Sequence, residues 1–213
     1  MTAPDPAPAP ARPAARRAIR LEQLTIGYNV AEGLVAVTFG LLAGSIALTG
    51  FGFDSWIEVA AATVVLGRLR GGHTDAAKQR RALRFVAITF FVLAAYVTVE
   101  GIRALLTDAR PETSRVGIAL TAASVLIMPA LARAKRQAGQ AMGSALVVAD
   151  AAETRLCAWL SVSTLAGLTA YALAGWTWLD PAAGFVIAGF ATWEGREAWQ
   201  GELADDDDDA ESP

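Results

Sequence analysis

The sequence predicts an all-α integral membrane protein, a bundle of six transmembrane helices with both termini in the cytoplasm. Three observations predict it. Hydrophobic residues make up 54% of the 213 positions, and the mean hydropathy is +0.39. Apolar runs recur along the chain, each near the roughly 20 helical residues needed to cross a hydrocarbon core about 30 Å thick. Basic residues gather in alternate connections between those runs, as they do where connections lie on the cytoplasmic face. Backbone groups in lipid must find partners within their own segment, so the spans are read as helices.

The spans run Leu24 to Leu48, Phe53 to Leu69, Leu83 to Leu106, Val116 to Leu131, Ala141 to Leu160 (continuing towards Leu173) and Trp178 to Ala198. The second and fifth are read as the least apolar. Arg12, Arg16, Arg17 and Arg20 precede the first span. Arg68, Arg70, Lys78, Arg80, Arg81 and Arg84 separate the second from the third, and Arg133, Lys135 and Arg136 the fourth from the fifth. These three groups are placed inside the cell. The opposite connections are the uncharged Thr49 to Gly52, a mixed stretch from Asp108 to Arg115, and a turn near Trp176. Trp176, Trp178, Trp193 and Trp199 read as interfacial anchors of the sixth span. Gly33, Ala36, Gly40 and Gly44 give the first span a small-residue face that permits close helix contact, within one chain or between two.

Residues 21–200 form the membrane domain on this reading. Residues 1–20 are a Pro-, Ala- and Arg-rich arm and residues 201–213 an acidic tail, both too poor in apolar content to fold. The tail holds seven of the 21 acids and no base, so the formal net charge of −3 conceals 18 bases against 14 acids in the rest of the chain. No cleaved leader is expected, because the first apolar run is too long for one. A single cysteine excludes an intrachain disulfide framework, and the lone histidine, His73, reads as a solvated loop residue.

Acids inside the spans carry the functional signal. Each carboxylate at mid-membrane costs about 2.5–3.5 kcal/mol, so four of them call for on the order of 10 kcal/mol of compensation, which a bound cation or protons would supply. Asp54 and Glu58 lie four apart and share a helix face, as do Glu153 and Cys157, with Asp150 three residues before Glu153. If the second and fifth helices pack together, three carboxyl groups and a thiol converge in a number that suits zinc or a related metal. Other readings stay open. Asp54 and Glu58 would also suit the positive end of a helix dipole, Glu153 an ion pair with Arg155 or Arg133, Asp150 a helix-packing hydrogen bond, and Cys157 a small buried hydrophobe. Glu32 and Asn29 border an ion path or pair with each other. Glu100 with Arg103 reads as a structural ion pair, and Asp180 as the cap of the sixth helix ahead of Pro181.

The chain resembles the cation diffusion facilitator family over all six spans. Asp54-Ser55-x-x-Glu58 resembles that family's Asp-Ser-x-x-Asp in the second helix. Ala149-Asp150-x-x-Glu153-x-x-x-Cys157 resembles its Ala-Asp-x-x-His-x-x-x-Asp in the fifth, with Glu153 at the histidine and Cys157 at the aspartate. Gly44-Ser45-Ile46-Ala47-Leu48, Glu100-Gly101-Ile102-Arg103 and Asp180-Pro181 match further family segments. Tyr28-Asn29-x-x-Glu32-Gly33 and the Asp54 to Val59 run are similar to a small subgroup without the usual cytoplasmic domain, the transmembrane protein 163 type.

The resemblance implies a homodimeric exporter of divalent metal in exchange for protons, in the plasma or inner membrane, with Asp54, Glu58, Glu153 and Cys157 as ligands and no prosthetic group. Zinc leads among the implied cargoes. A Cys157 thiolate favours zinc or cadmium, whereas an oxygen-only site suits manganese, iron or magnesium; cobalt belongs among the ions to test. The alternative is a metal-binding regulator of the same fold that moves no ions. No His-Glu-x-x-His, Gly-x-Ser-x-Gly or phosphate-cradling loop supports an enzyme, and nothing in the basic segments points to nucleic acid.

Overall fold

A computed structural model describes residues 11–71, 76–107 and 111–200. His73, the first ten residues and the acidic tail from Glu202 lie outside the described residues. The described chain folds as six α-helices: α1 Ala11–Ala43, α2 Ile46–Gly71, α3 Ala76–Leu106, α4 Arg115–Met142, α5 Ala145–Ala174 and α6 Leu179–Gln200. At 1.5 Å per residue they run from about 33 to 50 Å, each at least the thickness of a hydrocarbon core.

Four of these are long and apolar enough to cross a membrane: α1 from Pro13, α3 from Ala87, α4, and α5 from Leu146. The sequence expected the second and fifth spans to be the least apolar. Instead α5 qualifies and α6 joins α2 below the mark. Asp54 and Glu58 interrupt the apolar run of α2, and Asp180, Glu194, Arg196 and Glu197 that of α6.

Helix ends explain most differences from the expected boundaries. The chain is already helical at Ala11, inside the arm assigned to residues 1–20. The expected connection Thr49 to Gly52 is helical and buried; the break falls earlier, where Gly44 adopts φ 64° and reverses the chain after Ala43. That conformation is open to glycine at no steric cost. Ser45 then starts α2, its hydroxyl accepting from Leu48 N–H at 3.1 Å. Asp180 does not cap α6 as expected. It lies within the first turn of α6 and its carboxylate reaches α2, accepting from Ser45 Oγ at 2.5 Å and from the Ile46 amide at 2.8 Å. An acid there meets orphan amides at the positive end of the α2 dipole.

Helix α4 does not stop at Leu131. Ser114 caps its start by accepting from Gly117 N–H, and Gly143 in the left-handed region closes it at Met142. Ser144 follows at once as the cap of α5, so the connection between α4 and α5 is two residues. Lys135, assigned to a cytoplasmic connection by its charge, is therefore helical and fully buried.

The main helix pairs are α1 with α2, α4 with α5, and α3 with α6, with α1 also against α4, α5 against α6, and α2 against α3, α5 and α6. Small residues set the α1–α2 spacing. A Cβ at Gly40 would stand 2.6 Å from the Thr49 amide nitrogen, and one at Gly52 would stand 2.7 Å from that of Val37. The small face expected on the first helix is thus used within the chain. Beneath these contacts lies an apolar core of Leu48, Phe51, Val97, Met128, Leu131 and Ile187.

Candidate metal site within the bundle

Asp54 sits eight residues into α2, with Glu58 one turn deeper, so the helix-dipole reading does not account for them. The packing of α5 and α6 on α2 turns both toward Glu153 and Cys157 of α5 and Glu194 of α6. These five residues line one small cavity of about 30 Å³, enough for one or two water-sized occupants. Phe90, Leu160 and Phe190 form its apolar wall. Asp54, Glu58, Cys157 and Glu194 are buried and Glu153 is half-buried.

Both Glu58 carboxyl oxygens and Glu194 Oε1 are buried without a hydrogen-bond partner. Buried polar atoms are nearly always partnered, and a proton or a bound cation would satisfy these oxygens. The thiol of Cys157 lies beside Asp54 and Glu58. Among the described residues no three His, Cys, Asp or Glu side chains already form a closed metal-holding group. The donors surround a common space but have to draw together to share one ion.

The other candidates lie elsewhere. Asp150 is not among the residues lining the cavity. Its Oδ2 accepts from Lys135 Nζ at 2.6 Å, and the same ammonium reaches Glu22 Oε2 of α1 at 3.0 Å and Thr154 Oγ1 at 3.2 Å. All three ionic groups are buried. Glu32 and Asn29 do not pair with each other. Glu32 accepts from Ser55 Oγ at 3.0 Å and from Ser124 Oγ, which also meets the Tyr28 hydroxyl at 2.8 Å. Asn29 donates to the Thr25 carbonyl at 3.1 Å, leaving its own oxygen unpartnered. Glu100, half-buried, and the exposed Arg103 do form an ion pair, at 3.6 Å.

Sequence reasoning passed over Glu194, Glu22 and Lys135. Glu194 carried the same signal as Asp54, an acid within an apolar run, but stood beside Trp193, which drew the attention as an anchor. Glu22 stands just ahead of the first expected span, and Lys135 was assigned to a connection because α4 was expected to end at Leu131.

Comparison with known proteins adds two findings. A family model described as the cation efflux transmembrane domain matches residues 83–198, which takes in Glu153, Cys157 and Glu194 but not α1 or α2. The chain is also similar to a protein from Synechocystis sp. described as an uncharacterized transporter, 26% identical over 196 residues. That match covers 87% of this chain and 60% of the relative, so the chain spans about three-fifths of the relative's length.

Proposed function

The chain belongs to the cation efflux family, and from that premise we propose that this multi-pass membrane protein exports a divalent metal, zinc first among the candidates, in exchange for protons. The observation that carries the reading is the cavity lined by Asp54, Glu58, Glu153, Cys157 and Glu194, in which three buried carboxyl oxygens have no partner.

On this reading Asp54, Glu58, Glu153 and Cys157 hold the ion, and Glu194 is a fifth donor that completes the shell or takes up a proton when the ion leaves. Carboxyl and thiol groups must give up their protons to ligate a dication, so metal and protons compete for the same atoms. A bundle that opens alternately to each side then couples metal movement one way to proton movement the other. Four oxygen-bearing side chains and one thiol accommodate zinc or cadmium when the thiol ligates, and harder ions when it does not.

The remaining assignments belong to the same proposal. All six helices cross the membrane, with both termini in the cytoplasm, because the basic residues of the N-terminal arm and of the connection after α2 favour that side. The transporting unit is residues 21–200, flanked by arms without a transport role. The protein acts as a homodimer in the plasma or inner membrane. Glu32 and Asn29, buried on α1, border the proton path.

The test is flux into liposomes containing purified protein under an imposed pH gradient, with zinc, cadmium, manganese, iron and cobalt compared. Saturable, gradient-dependent uptake that is lost in Asp54→Asn is the expected result. Metal binding that saturates in the absence of any flux would instead assign the chain to non-transporting regulators.

A further inference from the structure

Away from the acid-lined cavity, the outer faces of α4 and α5 form a groove of about 720 Å³. Its chemistry changes along its length. Arg133 and Arg136 of α4 and Arg155 of α5, with Val148, Ala151 and Ala152 between them, line the part nearer the turn at Gly143 and Ser144, the arginines roughly 10–17 Å from that turn at 1.5 Å per residue. Pro129, Ala158 and Trp159 line the part beyond, starting roughly 21 Å from the turn on the same measure.

All three arginines are exposed, and among the described residues none of them forms an ion pair. Arg155 is the most telling, since it stands within the apolar helix Leu146–Ala174, where an unpaired cation facing lipid is unfavourable. Guanidinium groups present donors that match phosphate geometry. Trp159, 62% exposed beside them, offers an apolar ring at the level where the groove loses its charge.

We propose that this groove binds an anionic phospholipid, its phosphate held by Arg133, Arg136 and Arg155 and an acyl chain lying over Pro129, Ala158 and Trp159. Charge complementarity selects the occupant. A second copy of this chain would bring the same three cations against themselves, whereas a headgroup phosphate neutralises them and its chain continues into the apolar end. Helix α5 carries Glu153 and Cys157 toward the cavity and Arg155 and Trp159 toward the groove, so a bound lipid touches the helix that holds half of the proposed metal ligands. The lipid site itself does not depend on the transport reading.

Native mass spectrometry of the full-length protein in detergent, titrated with phosphatidylglycerol or phosphatidylcholine, tests this. The native protein is expected to retain phosphatidylglycerol saturably and at least tenfold more tightly than phosphatidylcholine. Replacing all three residues (Arg133→Gln, Arg136→Gln, Arg155→Gln) should weaken phosphatidylglycerol binding roughly a hundredfold, about fivefold for each cation lost near an anionic headgroup. The equally charged change Arg16→Gln, Arg17→Gln, Arg20→Gln on α1 should leave the preference intact. Should the triple groove variant fail to fold, the three single substitutions each read the fivefold step. Equal retention of the two lipids by the native protein overturns the proposal, as does an undiminished preference in the groove variants. Loss of a dimer in the groove variants, with no lipid preference in the native protein, overturns it in favour of a contact between copies.

Discussion

Lys135 is held by two carboxylates and neutralises one. Its ammonium joins α1 through Glu22, α5 through Asp150 and Thr154, and its own helix α4, all out of contact with water. Removing it leaves two buried acidic groups without their cationic partner, and breaking a buried ion pair destabilises by about 3–5 kcal/mol. Lys135→Met should therefore lower the melting temperature of the purified protein sharply. The triple change Lys135→Met, Glu22→Gln, Asp150→Asn should recover most of the loss, because neutral groups of similar shape remove the unpaired charge. Failure of the triple change to recover stability would mean that the ammonium acts by packing alone. At the cavity, Cys157→Ser keeps a polar group and removes the soft donor. Uptake of zinc and cadmium is expected to fall severalfold while manganese uptake holds, which flux measurements read directly. Asp54 with Glu58, and Glu153 with Cys157, were legible as two pairs because residues four apart share a helix face whatever the helix ends prove to be. Lys135 was not, because its meaning depended on whether α4 stopped at Leu131 or continued to Met142.

At the level of elements, the number and order of the helices followed from the spacing of apolar runs, but their ends did not. Ends depend on single backbone conformations, and Gly44 is the clearest case. The sequence placed a turn at Thr49 to Gly52, a stretch containing two glycines, yet those glycines bring α2 against α1 and α3, while of the three it is Gly44 that takes the left-handed conformation. The close approach of α1 and α2 gives a direct test. Gly40→Leu would drive side-chain atoms into the backbone of Thr49, and overpacking of this kind typically destabilises by about 1–3 kcal/mol. Gly27→Ala, on the same helix with nothing within 4 Å of an added Cβ, should leave stability unchanged or raise it slightly. Thermal melts of the two variants beside the native protein check both. The length of α4 has a further effect, since it brings Arg133 and Arg136 beside Arg155 on a single outer face.

For the molecule as a whole, the proposed exchange rests on one competition. Ligand groups release protons as a dication binds, so metal affinity must fall as pH falls. Titrating purified protein with zinc in weak buffer should acidify the solution, and the apparent affinity should drop between neutral and mildly acidic pH. Binding with no proton release would separate metal recognition from proton exchange. What the sequence could not disclose at this scale was which helices share walls. Nothing in the order of the chain says that α6 completes the α2–α5 cavity, and Glu194 entered the site only through that packing. The same neighbourhood of α6 and α2 bears on how the protein is made. Asp180 caps the start of α2 from 134 residues further along the chain, so a ribosome has finished five helices before the second receives its fastening. Until then the Ser45 hydroxyl and Ile46 amide lack the partner they have in the finished protein. A nascent chain released after α5 should accordingly expose a cysteine introduced at Ser45 to a water-soluble thiol reagent, and the completed chain should shield it. Helix α6 is in this sense the clasp that fastens the start of α2, and quality control acting on unfinished chains would find its signal far upstream of the residue that is missing.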